Sequence, residues 1–251
     1  MSGRGHIPAT VLLVFAASHT AFAQTFATPG DADTGIDRLV RSLVNIDLKE
    51  EIARFAGAGD SGRQLDTFEA EISIADGVEQ YSGVRGHNRA YRHISDIGGL
   101  WSCGEIVTML ENTRHIIEGP GPPEAITLQQ TRDRKIVRFR GASEDRLWFI
   151  AAAGRIFWLD FDGAIRISAT SGEIESLTWS TGAVPPGSGV SSILWEVNFR
   201  AVTVGGSREM VPSDSVYRVV RSGPGRRAEW NLSRYTALGR YGATTDVSFG
   251  E

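Results

Sequence analysis

The stretch "SILWEVNFRAVTVGG", Ser192–Gly206, decides the fold. Ile193, Trp195, Val197 and Phe199 fall on one side of an extended chain, and Ser192, Leu194, Glu196 and Asn198 on the other. Successive side chains of a strand point to opposite faces, so this is a strand with one apolar face. The two glycines that end it are a turn signal. A sheet built from such strands must cover that face. The stretch therefore predicts either a filled core or a cavity lined by aromatic rings.

Working outward, strand-like segments recur at short intervals from Ala125 on: "AITLQQT", "KIVRFRG", "RLWFIAA", "RIFWLDF", "AIRISAT", "IESLTWST", then "SVYRVVRS", "AEWNLSRY" and "TTDVSFG". Glycine-containing turns ("AAGR", "FDGA", "SGE", "VGGS", "SGPGRR") separate most of them, as in a consecutive antiparallel meander. In the strands of this region Phe157, Leu159 and Phe161 share one face, as do Leu177 and Trp179, and Trp230 and Leu232. Phe157, Leu159, Phe161, Leu177, Trp179 and Trp230, with Trp195, Val197 and Phe199, are the candidates for lining an apolar pocket.

The region before Ala125 reads differently. From Asp33 to Ala56, Ile36, Leu39, Val40, Leu43, Val44, Ile46 and Phe55 can form one apolar helical stripe. Thr34 is its N-cap, and "GAGDSG" its glycine-rich end. A hairpin follows, in which Phe68, Ala70, Ile72 and Ile74 alternate with polar residues before an "ADG" turn. Ser102 and Glu105 have capping-box spacing and open a second, shorter helix through Ile106, Met109, Leu110 and Ile117, which "EGPGPP" stops. The fold class expected is α+β, with a curved antiparallel sheet, an open half-barrel, wrapped around the helix Ile36–Phe55 and the short second helix.

Arg4, the apolar run "IPATVLLVFAA" and the small-residue site "AFA" before Gln24 have the layout of a secretory signal peptide. That gives a signal segment at 1–23 cleaved after Ala23, a flexible leader at 24–33 and a single domain at 34–251. The apolar run is shorter than the roughly 20 residues of a membrane-spanning helix, and later apolar runs are interrupted by charge or glycine. A periplasmic or secreted monomer is expected. The chain's formal charge is −4, with acidic and basic residues interspersed, which leaves no footprint for nucleic acid. Cys103 is the single cysteine, so no intramolecular disulfide forms and stability must come from the core.

Catalytic motifs are thin. His87, His93 and His115 are the histidines outside the signal segment, and His87 and His93 lack metal-ligand spacing on one helical face. H-E-x-x-H, G-x-S-x-G and P-loop patterns are missing. Cys103 and His115 would lie about 18 Å apart along one helix, too far to act together. Asp160 and Asp162 share a strand face, and Asp162-Gly163 reads as a hairpin turn rather than half of a carboxylate dyad. No metal, cofactor or enzymatic activity is expected.

The order of elements, a long helix, a few strands, a short helix and a run of antiparallel strands, resembles the half-barrel of periplasmic lipoprotein carriers of the LolA/LolB type. That resemblance implies a curved sheet around helices and a hydrophobic cavity for acyl chains. The string "SSILWEVNFRAVTVGGSREMVPSDSVYRVV" followed by "AEWNLSRYTALGRYGATTDVSF" is also similar to uncharacterised exported bacterial proteins. The carriers' partner-binding features have no counterpart here, and a fold likeness does not transfer lipoprotein handover. The function expected is non-catalytic binding, on the concave face, of an apolar ligand such as a lipid or acyl chain, or of another envelope protein. The alternative is a structural or interaction module of the envelope whose core is fully packed.

Overall fold

The computed structural model describes residues 35–44, 46–58, 61–75, 78–97, 106–118, 127–152, 154–182, 184–223 and 227–240. The expected signal segment and cleavage site, the expected leader, Thr34, Ser102 and Glu105 of the expected capping box, Cys103 and "TTDVSFG" lie outside them.

Among the described residues the architecture is α+β, with two α-helices and one large, open antiparallel sheet. Helix α1 (Gly35–Val44) is followed by β1 (Ile46–Ala58), β2 (Ser61–Ala75), β3 (Val78–Gly86) and the two-residue β4 (Arg89–Ala90). A 3₁₀ turn (Ile94–Ile97) precedes α2 (Ile106–Glu118). Then come β5 (Thr127–Gln130), β6 (Arg134–Gly141), β7 (Phe149–Ala152), β8 (Arg155–Trp158), β9 (Phe161–Ser168), β10 (Ile174–Ser180), β11 (Val190–Val204), β12 (Ser207–Arg221) and β13 (Arg227–Arg240). Eleven strands form one sheet in the order β4-β3-β2-β1-β13-β12-β11-β10-β9-β6-β5, and β7 and β8 form a separate hairpin.

The sheet must curl, and the helix contacts show it. Helix α1 touches both β2 and β10, five strand spacings apart, or about 24 Å in a flat sheet. Helix α2 touches both β3 and β6, eight spacings or about 38 Å apart when flat. A helix about 10–12 Å across can meet such distant strands only if the sheet bends around it. The two helices lie side by side in that concavity, joined by Arg114 Nη1 donating to Asp37 Oδ1 at 3.0 Å. Edge strands β4 and β5 stay unpaired to each other, so the half-barrel is open.

Four local readings of the sequence need correction. The helix expected over Ile36–Phe55 ends at Val44, and Ile46–Ala58 is strand β1. Ile36, Leu39 and Leu43 do form its buried stripe. From Ile46 on, however, Ile46, Leu48 and Ile52 also sit two or four apart, a strand period. β1 is flanked by β2 and β13, and ladder pairing on both sides overrides a helical pattern. The strands, moreover, are not a simple consecutive meander, because the last strand, β13, pairs with the first, β1. "RIFWLDF" is not one strand either: β8 ends at Trp158 and β9 begins at Phe161 in the other sheet.

Finally, Asp162-Gly163 is no turn. Both residues lie inside β9, opposite Arg140 and Phe139 of β6. A Cβ on Gly163 would stand 2.0 Å from the Phe139 ring, so the glycine is there to let that ring lie across the strand.

Candidate binding face

The concave face is built from alternate residues of the central strands. β11 contributes Ile193, Trp195, Val197 and Phe199, all buried; Leu194, Glu196 and Asn198 on the other face are partly exposed. Trp195 stands opposite Trp179 of β10 on one side and Tyr217 of β12 on the other. This register sets up a ladder of rings: Phe161 to Trp179 at 4.3 Å, Trp179 to Trp195 at 6.5 Å and Trp195 to Tyr217 at 6.3 Å. Trp148, just before the β7–β8 hairpin, completes it by meeting both Phe161 and Trp179 edge-on at 5.5 Å. Offset and edge-to-face rings gain attraction beyond the area that they bury.

Helix α2 caps the ladder. Its Thr113 hydroxyl accepts the Trp179 indole N–H at 3.0 Å and donates to the Met109 carbonyl at 2.7 Å, so a buried polar edge is satisfied. The helix itself is held from strand β3, where Glu79 Oε1 accepts the Val107 N–H at 3.0 Å. The β7–β8 hairpin adds Ile150, Ala152 and Phe157 to the same core cluster.

Of the candidates chosen from sequence, Phe157, Leu159, Phe161, Leu177, Trp179, Trp195, Val197 and Phe199 all come together in one core cluster. Trp230 does not join them. Its neighbours in register, Asn231, Ser233 and Tyr235, alternate inward, and Trp230 stands on the convex face. There it stacks on Phe55 at 5.6 Å with the Arg218 guanidinium over it, and its ring lies where a Cβ on Gly62 would stand.

The gap among Leu43, Leu48, Ile72, Ile74, Glu79, Ile106 and Pro212 has a cavity volume of about 0 Å³, too small for water. A larger cleft of about 180 Å³ lies beside α1, among Arg38, Leu39, Ser42, Glu173, Ile174 and Arg208. Arg208 is held by Glu173 at 3.0 Å, and Arg38 donates to the Gly172 carbonyl at 3.2 Å. Pockets for small organic ligands run from about 300 to 1,000 Å³.

The concave face also carries a polar row that the sequence reading missed. Glu50 of β1 faces Tyr235 of β13, and Ser215 of β12 faces Ser233. All four are buried, with Asn231 beside them. Tyr235 Oη donates to Glu50 Oε1 at 3.0 Å and lies 3.1 Å from Ser215 Oγ. Glu50 Oε2 has no hydrogen-bond partner. Burial pushes the Glu50 carboxyl up to about 7, opposed by the Ser233 hydroxyl and the Tyr235 phenol. Burial, followed by the nearby Glu50 charge, drives the Tyr235 phenol well above its ordinary value. A signal for this row was present: once Ile46–Ala58 is read as a strand, Glu50 falls between Leu48 and Ile52 on the apolar face.

The other carboxylates have separate partners. Asp160 accepts the Ser143 N–H at 2.7 Å, which holds it below its ordinary value, while Asp162 pairs with Arg140 at 3.0 Å. His87, His93 and His115 are exposed. Among the described residues no group of three His, Cys, Asp or Glu side chains could hold a metal ion, and no helix is long and apolar enough to cross a membrane.

No family model matches the chain, and no curated protein matches it. Among solved structures it is similar to a DUF1329 family protein from Desulfovibrio piger, at 10% identity over 86% of this chain and 93% of that one, with a TM-score of 0.34. A likeness so distant carries no function across.

Proposed function

We propose that this chain is an exported, non-catalytic module of the cell envelope, acting by contact with another envelope molecule, with its concave face filled by its own side chains. The observation that supports this reading is the ring ladder from Trp148 to Tyr217, buried throughout and capped by Thr113 of α2. Each ring already touches another ring, so an apolar guest would have to displace packed contacts.

A second reading, an apolar carrier that admits a lipid or acyl chain to the same face, has one specific observation in its favour. The cover on the concave side is two short helices of 10 and 13 residues over a sheet open at both edges. Swinging α1 and α2 outward would uncover the concave-face residues Phe161, Leu177, Trp179, Trp195, Val197 and Phe199 together.

One experiment separates the two. Native protein is extracted with organic solvent for mass spectrometry, and lipid-stripped protein is titrated with an environment-sensitive apolar dye. A packed module yields no stoichiometric lipid and no dye signal, and Phe157→Leu, Trp179→Leu and Phe199→Leu each cost it several kcal/mol. A carrier yields lipid, takes up dye and tolerates each trimming at about 1.5 kcal/mol or less. Turnover of generic ester or glycoside substrates by the purified chain would overturn both readings.

A further inference from the structure

The β1–β13 pairing is the seam of the sheet. It joins the four strands β4 to β1 to the seven strands β13 to β5, bringing together segments far apart in sequence. At the middle of that seam, on the covered face, sits a carboxyl group in cross-strand register with a phenol.

The groups facing Glu50 are few. Tyr235 and Ser233 present hydroxyls from β13, and on β2 the residue in register is Ala70. Glu79 of β3 acts on Tyr235 and adds a further negative charge to the neighbourhood. No lysine, arginine or histidine acts on the Glu50 carboxyl, and its Oε2 has no hydrogen-bond partner among the described residues. A lone carboxylate in such a place loses its hydration without gaining a cation, whereas a carboxylic acid keeps the Tyr235 bond at little cost.

We propose that Glu50 is a proton-operated latch on the β1–β13 seam: protonated, it keeps the seam closed, and loss of the proton loosens the two strands and uncovers the polar end of the concave face. The direction follows from linkage. The carboxyl's value in the fold, about 7, lies above the ordinary 4.5, so the folded seam binds the proton more tightly than the open chain. The stabilisation is complete below the ordinary value and is lost as pH rises through about 7. The idea does not depend on what, if anything, occupies the ring ladder.

Hydrogen exchange of the full chain, followed by mass spectrometry and corrected for intrinsic pH dependence, tests it. Protection of peptides covering 46–58 and 227–240 should fall about tenfold or more between pH 5 and pH 8, while 190–204 stays protected. Glu50→Gln, or Glu50→Met where the amide does not fold, should abolish that fall. Tyr235→Phe removes a donor to the carboxylate and should move the midpoint to higher pH. Flat protection in the wild type, a fall that persists without the Glu50 carboxyl, or a midpoint unmoved by Tyr235→Phe would each overturn the proposal.

Discussion

The concave face has two halves that solve burial in opposite ways. On β9 to β12, Phe161, Trp179, Trp195 and Tyr217 fill the space with rings, and Thr113 takes up the Trp179 indole N–H. On β1 and β13, the same face carries the buried polar residues Glu50, Asn231, Ser233 and Tyr235, and the Tyr235 hydroxyl links Glu50 to Ser215. The ring half gains from area and contact and is insensitive to pH. The polar half gains little net stability from its hydrogen bonds, but losing one partner there is expensive. One face of one sheet thus holds an aromatic region beside a polar one.

The largest expected effect lies in the ring half. Trp195→Ala removes the ring between Trp179 and Tyr217 and should cost about 3–5 kcal/mol in a denaturant titration. A loss below about 1 kcal/mol would mean that the ladder is loose and would break the contrast. Next comes Tyr235→Phe in the polar half, at about 1–3 kcal/mol, because Glu50 Oε1 loses its donor. This cost should be larger at pH 8 than at pH 5, since a bond to the ionised carboxylate is the stronger one. An equal cost at both pH values would show that Glu50 does not ionise in the fold.

A smaller effect sharpens the comparison from the other side. Thr113→Val keeps the shape of the cap but leaves the Trp179 N–H without its acceptor, for about 1–2 kcal/mol, and this cost should not vary between pH 5 and pH 8. The smallest is Glu196→Ala on the convex side of β11, expected within about 0.5 kcal/mol in either direction. If it matched Trp195→Ala, the register of β11 would be reversed, since a slip of one residue exchanges the two faces.

The amino-acid sequence by itself determined the faces wherever alternation was strong and uninterrupted. Ile193, Trp195, Val197 and Phe199, and likewise Phe68, Ala70, Ile72 and Ile74, recur every second position, and all of these are buried. A period of two admits one arrangement once a sheet has a covered side, so these strands and their inward rings were legible without coordinates. The second helix was legible too, through the spacing of Ile106, Met109 and Leu110.

Elsewhere the outcome depended on partners distant in sequence. Ile46–Ala58 carries spacings that suit a helix and a strand alike, and the presence of β2 and β13 on either side selects the strand. Trp230 and Leu232 look like an inward pair. Their register against β12 and β1 turns Asn231, Ser233 and Tyr235 inward instead, and Trp230 is accommodated outside on Phe55 over Gly62. Gly163 looks like a turn until the Phe139 ring is seen to need its missing side chain. In each case local pattern was degenerate, and the choice fell to partners distant in sequence. Hydrogen bonding between strands and packing between faces act through space, and a chain acquires those neighbours only on folding.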